Sequence, residues 1–234
     1  MKAFILAAGK GERLGSLTET VPKPMLELAG KPILEYNILM CKKAGVHDIF
    51  INLHYLPNKI SDYFEDGKKF GVNIQYNYEN ELLGTAGGIL FFINNFKEEP
   101  YFVIYGDNYT EFDLLELKTY HESVNSDFTI ALHWVDDISH SGVVQLGVNS
   151  EIVKFIEKPI LDQLEGGWVN SGIYLINPKV IDDLVKQYSD FAKDIIPSAL
   201  NREQKLYGYK IKNGLWAIDT PALFSSTVDK LNIN

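Results

Sequence analysis

The chain is poor in cysteine: Cys41 is its only one, set among five scattered histidines. That excludes an internal disulfide framework and argues against a structural zinc site. No apolar run approaches the roughly 18 residues that a membrane span requires, so no membrane partner is expected. The N-terminus lacks the basic, apolar and small-residue series of a secretory signal, and a reducing cytoplasm is the expected location. Excess positive charge is missing too: 22 Lys and Arg stand against 31 Asp and Glu, a net charge of −9. Such a balance disfavours broad binding to nucleic acid. It still permits a polyphosphate, provided basic groups converge locally and a divalent cation accompanies it. Repeats, low-complexity runs and linkers rich in Gly, Pro or Ser are all absent. One compact domain over residues 1–234 is therefore expected.

What is present begins at the first strand. Ala3 to Ala8 is apolar and runs into a small-residue loop with Gly9 and Gly11, then Arg13, then Lys23 between Pro22 and Pro24. Small residues let backbone N–H groups approach an anion, and Arg13 and Lys23 add fixed positive charge. A nucleoside triphosphate suits that combination.

Strand and helix patterns then alternate: a helix over Ile33–Ala44 stopping at Gly45, a strand over Asp48–Leu53, a helix over Pro57–Asp66 and a strand over Val72–Tyr76. A helix start follows at Thr85–Phe92, and a buried strand over Tyr101–Tyr105 ends in Gly106-Asp107. This order predicts an α/β fold, Rossmann-like, with a mixed but mostly parallel central sheet flanked by helices. A dinucleotide is discounted, because Gly9-Lys10-Gly11-Glu12-Arg13 lacks a third glycine and the loop is long.

From Asp127 the texture changes to short strands with polar turns: Thr129–Val135, Gly142–Leu146, Ile152–Glu157 and Gly172–Leu175. These predict a small antiparallel subregion. Helices are expected over Val180–Gln187, Ala192–Ala199 and Pro221–Leu231, and strands over Tyr207–Ile211 and Trp216–Ile218. Residues 1–126 thus form an expected nucleotide-binding half, and residues 127–234 a half for a second substrate with closing helices.

Six ordered blocks carry a resemblance. They are Gly9-x-Gly11-x-Arg13 with Pro22-Lys23-Pro24 and Lys31-Pro32; Leu83-Gly84-Thr85-Ala86-Gly87-Gly88; Gly106-Asp107; Phe155-Ile156-Glu157-Lys158-Pro159; Val169-Asn170-Ser171-Gly172-Ile173-Tyr174; and Trp216-Ala217-Ile218-Asp219-Thr220-Pro221. Together they resemble the sugar-1-phosphate nucleotidylyltransferases, and most closely the short guanylyltransferases acting on mannose 1-phosphate or a heptose 1-phosphate. Asp190-Phe191-Ala192-Lys193 and Tyr207-Gly208-Tyr209 resemble that branch. The implied reaction joins a nucleoside triphosphate, GTP favoured, to a sugar 1-phosphate and releases pyrophosphate. Longer relatives add a β-helical domain with hexapeptide repeats, which this sequence lacks, so no acyltransferase activity is expected. Monomer and homodimer both stay open.

The resemblance also implies roles. Arg13 and Lys23 would be catalytic, on the triphosphate and its α-phosphate. Asp107 and Asp219 would hold Mg²⁺, although the family's Asp-Ile-Gly-Thr-Pro reads here as Ile218-Asp219-Thr220-Pro221, one residue short. The nucleotide would lie along Leu6, Ala7, Ala8, Gly9 and Gly11, with its base at Glu79, Gly84, Thr85 and Ala86. As an acceptor, the Glu79 carboxylate matches the N1–H and N2–H donors of guanine better than the single donor of uracil; a solvated loop glutamate is the plain alternative. Gly142, Glu157, Lys158 and Asn170 would receive the sugar phosphate. Two competing functions remain: a uridylyl- or cytidylyltransferase acting on another phosphorylated small molecule, and a non-catalytic nucleotide-sugar sensor.

Overall fold

The computed structural model describes residues 1–159, 166–182, 188–212 and 215–232. The fold is mixed α/β, with a mixed, mostly parallel central sheet flanked by helices, and the chain divides into two compact units. The first comprises Met1–Leu82, Ile104–Phe112 and Gly214–Asn234; the second comprises Leu83–Val103 and Asp113–Asn213.

In the first unit the strands Lys2–Leu6, Asp48–Leu53 and Asn73–Tyr78 run parallel, with Leu6 opposite Asn52 and Asn52 opposite Asn77. The first two are buried almost throughout, as strands of a parallel sheet covered on both faces must be, whereas Asn73–Tyr78 alternates between buried and exposed positions. The helix Ile33–Lys43 ends as expected, with Gly45 at φ 73° in the left-handed position beyond its last turn. Cys41 is fully buried on this helix, and burial pushes its thiol up to about 12, so it serves as packing.

A short antiparallel pair closes the first unit. Asn108–Thr110 meets Leu215–Ala217, with Tyr109 opposite Trp216 and Asn108 opposite Ala217. Tyr109 and Ile218 join Leu14, Leu26, Leu28 and Ile33 in one buried cluster, against which the C-terminal helix Pro221–Asn232 lays Phe224, Val228 and Leu231. This cluster fixes the chain just after Asp107 and on both sides of Asp219.

In the second unit Gly167–Ile176 pairs antiparallel with Phe128–Val135 along its length, and with Gly142–Leu146 at Val169. Gly142–Leu146 pairs antiparallel in turn with Ile152–Glu157, as the short-strand pattern predicted. Leu206–Lys210 adds to Phe128–Val135 in parallel. A helix over Leu114–Ser123, capped by the Asp113 side chain on the Leu115 N–H, was not foreseen from sequence. Most of the helix expected over Val180–Gln187 lies outside the described residues; its first residue ends the 3₁₀ turn Pro178–Val180. Among the described residues, no helix is long and apolar enough to cross a membrane.

Candidate active site

The glycine loop is built to leave room. Gly11 sits at φ +66°, and a Cβ there would meet the Lys23 Cβ at 3.0 Å and Thr18 Cγ2 at 3.2 Å. Glycine is thus required twice over, by conformation and by the close approach of Lys23. Gly9, by contrast, has open space around it. The loop continues into a 3₁₀ segment, Glu12–Thr18, whose Thr18 hydroxyl donates to the Gly11 and Gly15 carbonyls.

Lys23 is the centre of the charge arrangement. Its Nζ lies 2.8 Å from Asp107 Oδ2 and 2.6 Å from Asp219 Oδ1, while Arg13 Nη2 reaches the same Asp219 oxygen at 3.1 Å. The Lys23 side chain is only 5% exposed, whereas Arg13 is open to solvent. Burial alone would lower the Lys23 pKa, but Asp107 and Asp219 outweigh it and raise the ammonium above the ordinary lysine value. Burial likewise works against the Asp219 carboxylate, and Lys23 and Arg13 reverse it, leaving Asp219 below the usual range.

The close approach of Asp107 depends on Gly106. A Cβ at Gly106 would lie 2.8 Å from Ile5 Cγ2, and its N–H donates to the Leu6 carbonyl at 2.9 Å. Gly11, Arg13, Lys23, Leu82, Asp107 and Asp219 line a cleft of about 400 Å³. The four charged residues singled out from sequence therefore meet at one place, and the shortened Asp219 segment still faces Lys23.

The root of the loop is also tied down. The Ala7 N–H donates to Asn52 Oδ1 at 3.0 Å, and Asn52 Nδ2 donates to Glu79 Oε1 at 2.8 Å. Glu79 is buried, not a solvated loop residue. Its N–H donates to the Leu53 carbonyl, and His54 Nδ1 lies 2.9 Å from its carbonyl, so that nitrogen carries the proton. Sequence reading passed over Asn52, although a lone amide in the apolar run Ile49-Phe50-Ile51-Asn52-Leu53 is a signal that buried partners must exist.

The remaining candidates lie in the second unit. A Cβ at Gly84 would run into the Ser189 carbonyl oxygen, which also accepts from the Ala86 and Gly87 N–H groups. The Thr85 hydroxyl donates to Asp190 Oδ2 at 2.9 Å and accepts from the Phe191 N–H. Thr85 and Ala86 are thus engaged by residues 189–191, which set the shape of the Gly84 loop.

Gly142 stands opposite Glu157, and a Cβ there would strike the Phe155 ring at 2.5 Å and Glu157 Oε2 at 2.9 Å. Burial raises the Glu157 pKa; Lys158 opposes that effect and Asp190 adds to it. Lys158 is exposed, at φ 48°, with its N–H on the Ser141 carbonyl. Asn170 accepts from the Gly172 N–H and donates to the Tyr174 hydroxyl at 2.6 Å, where the strand register shifts between Asn170 and Tyr174. Beside it Ser171 bonds His133 Nδ1 at 2.9 Å.

Among the described residues, no group of three or more His, Cys, Asp or Glu could hold a metal. Asp107 and Asp219 form a pair of carboxylates that could contribute to holding one. Both already present oxygens to a single cationic nitrogen, and oxygen donors suit a hard divalent ion.

The chain is similar to several known sugar-phosphate nucleotidyltransferases. A uridylyltransferase for UTP and glucose 1-phosphate from Synechocystis sp. is 34% identical, over 88% of this chain and 57% of its own length. A mannose-1-phosphate guanyltransferase from Saccharomyces cerevisiae is 34% identical, over 99% of this chain and 65% of its own. The chain thus spans 57% to 65% of the length of these two relatives. The crystal structure of HddC from Yersinia pseudotuberculosis complexed with GMP-PN superposes with a TM-score of 0.81 at 28% identity, covering 98% of both chains. The sequence profile described as nucleotidyl transferase matches residues 2–220, and the chain belongs to that family.

Proposed function

We propose that this chain transfers a guanylyl group from GTP to a sugar 1-phosphate of the mannose or heptose type, yielding a nucleotide-diphospho-sugar and pyrophosphate. The observation that carries the reading is the meeting of Arg13, Lys23, Asp107 and Asp219 at one cleft. A phosphate oxygen of the sugar phosphate attacks the α-phosphorus in line; the new P–O bond forms as the bond to the β-phosphate oxygen breaks, and pyrophosphate leaves. Positioning and charge neutralisation dominate such transfers. Lys23 neutralises charge building on the α-phosphate, and Arg13, whose planar fork suits phosphate oxygens, holds the departing pyrophosphate. No covalent intermediate is needed, because the attacking phosphate is already anionic near neutral pH.

Nucleotidyl transferases of this family generally use a divalent metal. Here Mg²⁺ would be held by Asp107 and Asp219 and would supply charge neutralisation at the phosphate oxygens. Leu6, Ala7, Ala8, Gly9 and Gly11 would form the wall along the nucleotide, with Gly84, Thr85 and Ala86 beside the base. Gly142, Glu157, Lys158 and Asn170 are assigned to the sugar phosphate. Gly142 supports this by leaving space beside the Glu157 carboxylate.

Guanine is favoured over uracil because Glu79 offers an acceptor to two adjacent N–H donors. The mannose-1-phosphate guanyltransferase relatives and the HddC complex with a guanine nucleotide analogue support that choice. Pyrophosphate release measured with each of the four ribonucleoside triphosphates, against mannose, heptose and glucose 1-phosphates, tests it. Turnover is expected with GTP and the first or second sugar; turnover with UTP and glucose 1-phosphate alone would replace the guanylyl reading by a uridylyl one.

A further inference from the structure

We infer that Asn52 is a positioning residue for base selection: it orients the Glu79 carboxylate and ties that carboxylate to the root of the glycine loop. The inference rests on the guanylyl reading above and extends it to a residue outside the glycine loop and the base loop.

The geometry is specific. Asn52 is 1% exposed and stands near the carboxyl end of the middle strand of three, opposite Leu6 on one side and Asn77 on the other. In open α/β sheets that edge is where ligands bind. Its amide has one orientation available. The Ala7 N–H can only donate, so Oδ1 must face it, which leaves Nδ2 as the donor to Glu79 Oε1. The two bonds, at 3.0 Å and 2.8 Å, therefore fix each other.

A glutamate side chain has three rotatable bonds, and a carboxylate reading two adjacent donors must be held in one rotamer to discriminate between bases. Here the Asn52 amide fixes Oε1, while the backbone of Glu79 is pinned through the Leu53 carbonyl and His54. The same amide sets where the glycine loop leaves its strand. The position of the triphosphate and the reading of the base are thus set from one side chain. Only a side-chain amide supplies an acceptor and a donor with this span, and glutamine would carry it one methylene too far.

The test compares GTP with ITP, which lacks the 2-amino donor, in the parent, Asn52→Asp and Glu79→Gln. Asn52→Asp keeps the acceptor for Ala7 but removes the donor and sets a carboxylate against Glu79. The expected result is a parent preference for GTP in kcat/KM that falls about tenfold or more in Asn52→Asp. The loss should appear in KM for GTP with kcat little changed. The double variant Asn52→Asp with Glu79→Gln, which rebuilds the bond with donor and acceptor exchanged, is expected to recover part of the preference. A merely structural role would lower the melting temperature and leave the GTP to ITP ratio alone.

A ratio lost in Glu79→Gln but kept in Asn52→Asp overturns the inference while the guanylyl reading stands. A parent ratio near one removes base reading by Glu79, and the inference with it. Should Asn52→Asp not fold, Asn52→Ser, too short to span both partners, carries the same expectations and the same contrary outcomes.

Discussion

Lys23 and Asp219, 196 positions apart in sequence, meet at 2.6 Å. The same ammonium lies 2.8 Å from Asp107, so one buried cation stands between the two carboxylates proposed to hold a metal. If Asp107 and Asp219 hold the divalent ion as proposed, Lys23 competes with it for the same carboxylate oxygens.

Lys23→Met should consequently separate catalysis from metal binding. Turnover is expected to fall about 100-fold or more, the scale typical for loss of one charge-stabilising donor. Binding of Mn²⁺ to the free protein, followed by electron paramagnetic resonance, is expected to tighten because the competing ammonium is gone. Weaker Mn²⁺ binding would mean that Lys23 organises the two carboxylates instead of competing for them.

The pair of aspartates should also behave non-additively in stability. Asp107→Asn leaves Lys23 paired with Asp219, and Asp219→Asn leaves it paired with Asp107. The double variant strands an ammonium that is 5% exposed. Each single change is expected to cost about 1 kcal/mol and the double change about 3 kcal/mol or more in urea unfolding, since an unpaired buried charge is the larger penalty. Simple additivity would sink the idea that either carboxylate suffices.

Gly11 and Gly9 give a paired test of the loop. Gly11→Ala forces an L residue to positive φ and presses on the Lys23 Cβ at 3.0 Å, so both stability and turnover should fall, stability by roughly 1–2 kcal/mol. Gly9→Ala meets open space and should stay within about 0.5 kcal/mol of the parent. Thermal unfolding and pyrophosphate release measured on both variants check this; equal effects would contradict the close approach seen only at Gly11.

His133 predicts a pH dependence away from the charged cluster. Burial lowers its pKa to about 4, below the ordinary histidine value near 6.5. The unfolded chain therefore takes up the proton first as pH falls. The stability contributed by neutral His133 is complete above roughly pH 6.5 and is lost progressively on the way down to about 4. Urea midpoints at pH 7 and pH 5 should differ more in the parent than in His133→Gln. Identical differences in both proteins would exclude His133 as the source.

The sequence carried some of this architecture plainly and some not at all. The strand Lys2–Leu6, its glycine loop and the strand Tyr101–Tyr105 ending at Gly106-Asp107 were legible because local apolar runs stop at small or charged residues. Lys23 was legible through its two prolines, yet its burial between two carboxylates was not, since both partners are remote in sequence. The orientation of Asp219 was undecidable from Ile218-Asp219-Thr220-Pro221. It is set by pairing of Asn108–Thr110 with Leu215–Ala217 and by Tyr109 packing on Trp216 at 5.3 Å. The helix Leu114–Ser123 was missed because its buried residues, Leu114, Leu117 and His121, form a thin stripe interrupted by polar positions. Asn52 was missed because the apolar run around it read as a strand and nothing more.

The most direct measurement is the fate of a labelled α-phosphate. With GTP carrying the label at the α-phosphorus, mannose or heptose 1-phosphate and Mg²⁺, the label is expected in the nucleotide-diphospho-sugar, with one unlabelled pyrophosphate released per turnover. Asp107→Asn and Lys23→Met should lose this transfer together. Label that stays in GTP, or transfer that persists in both variants, would contradict a single catalytic centre formed by Arg13, Lys23, Asp107 and Asp219.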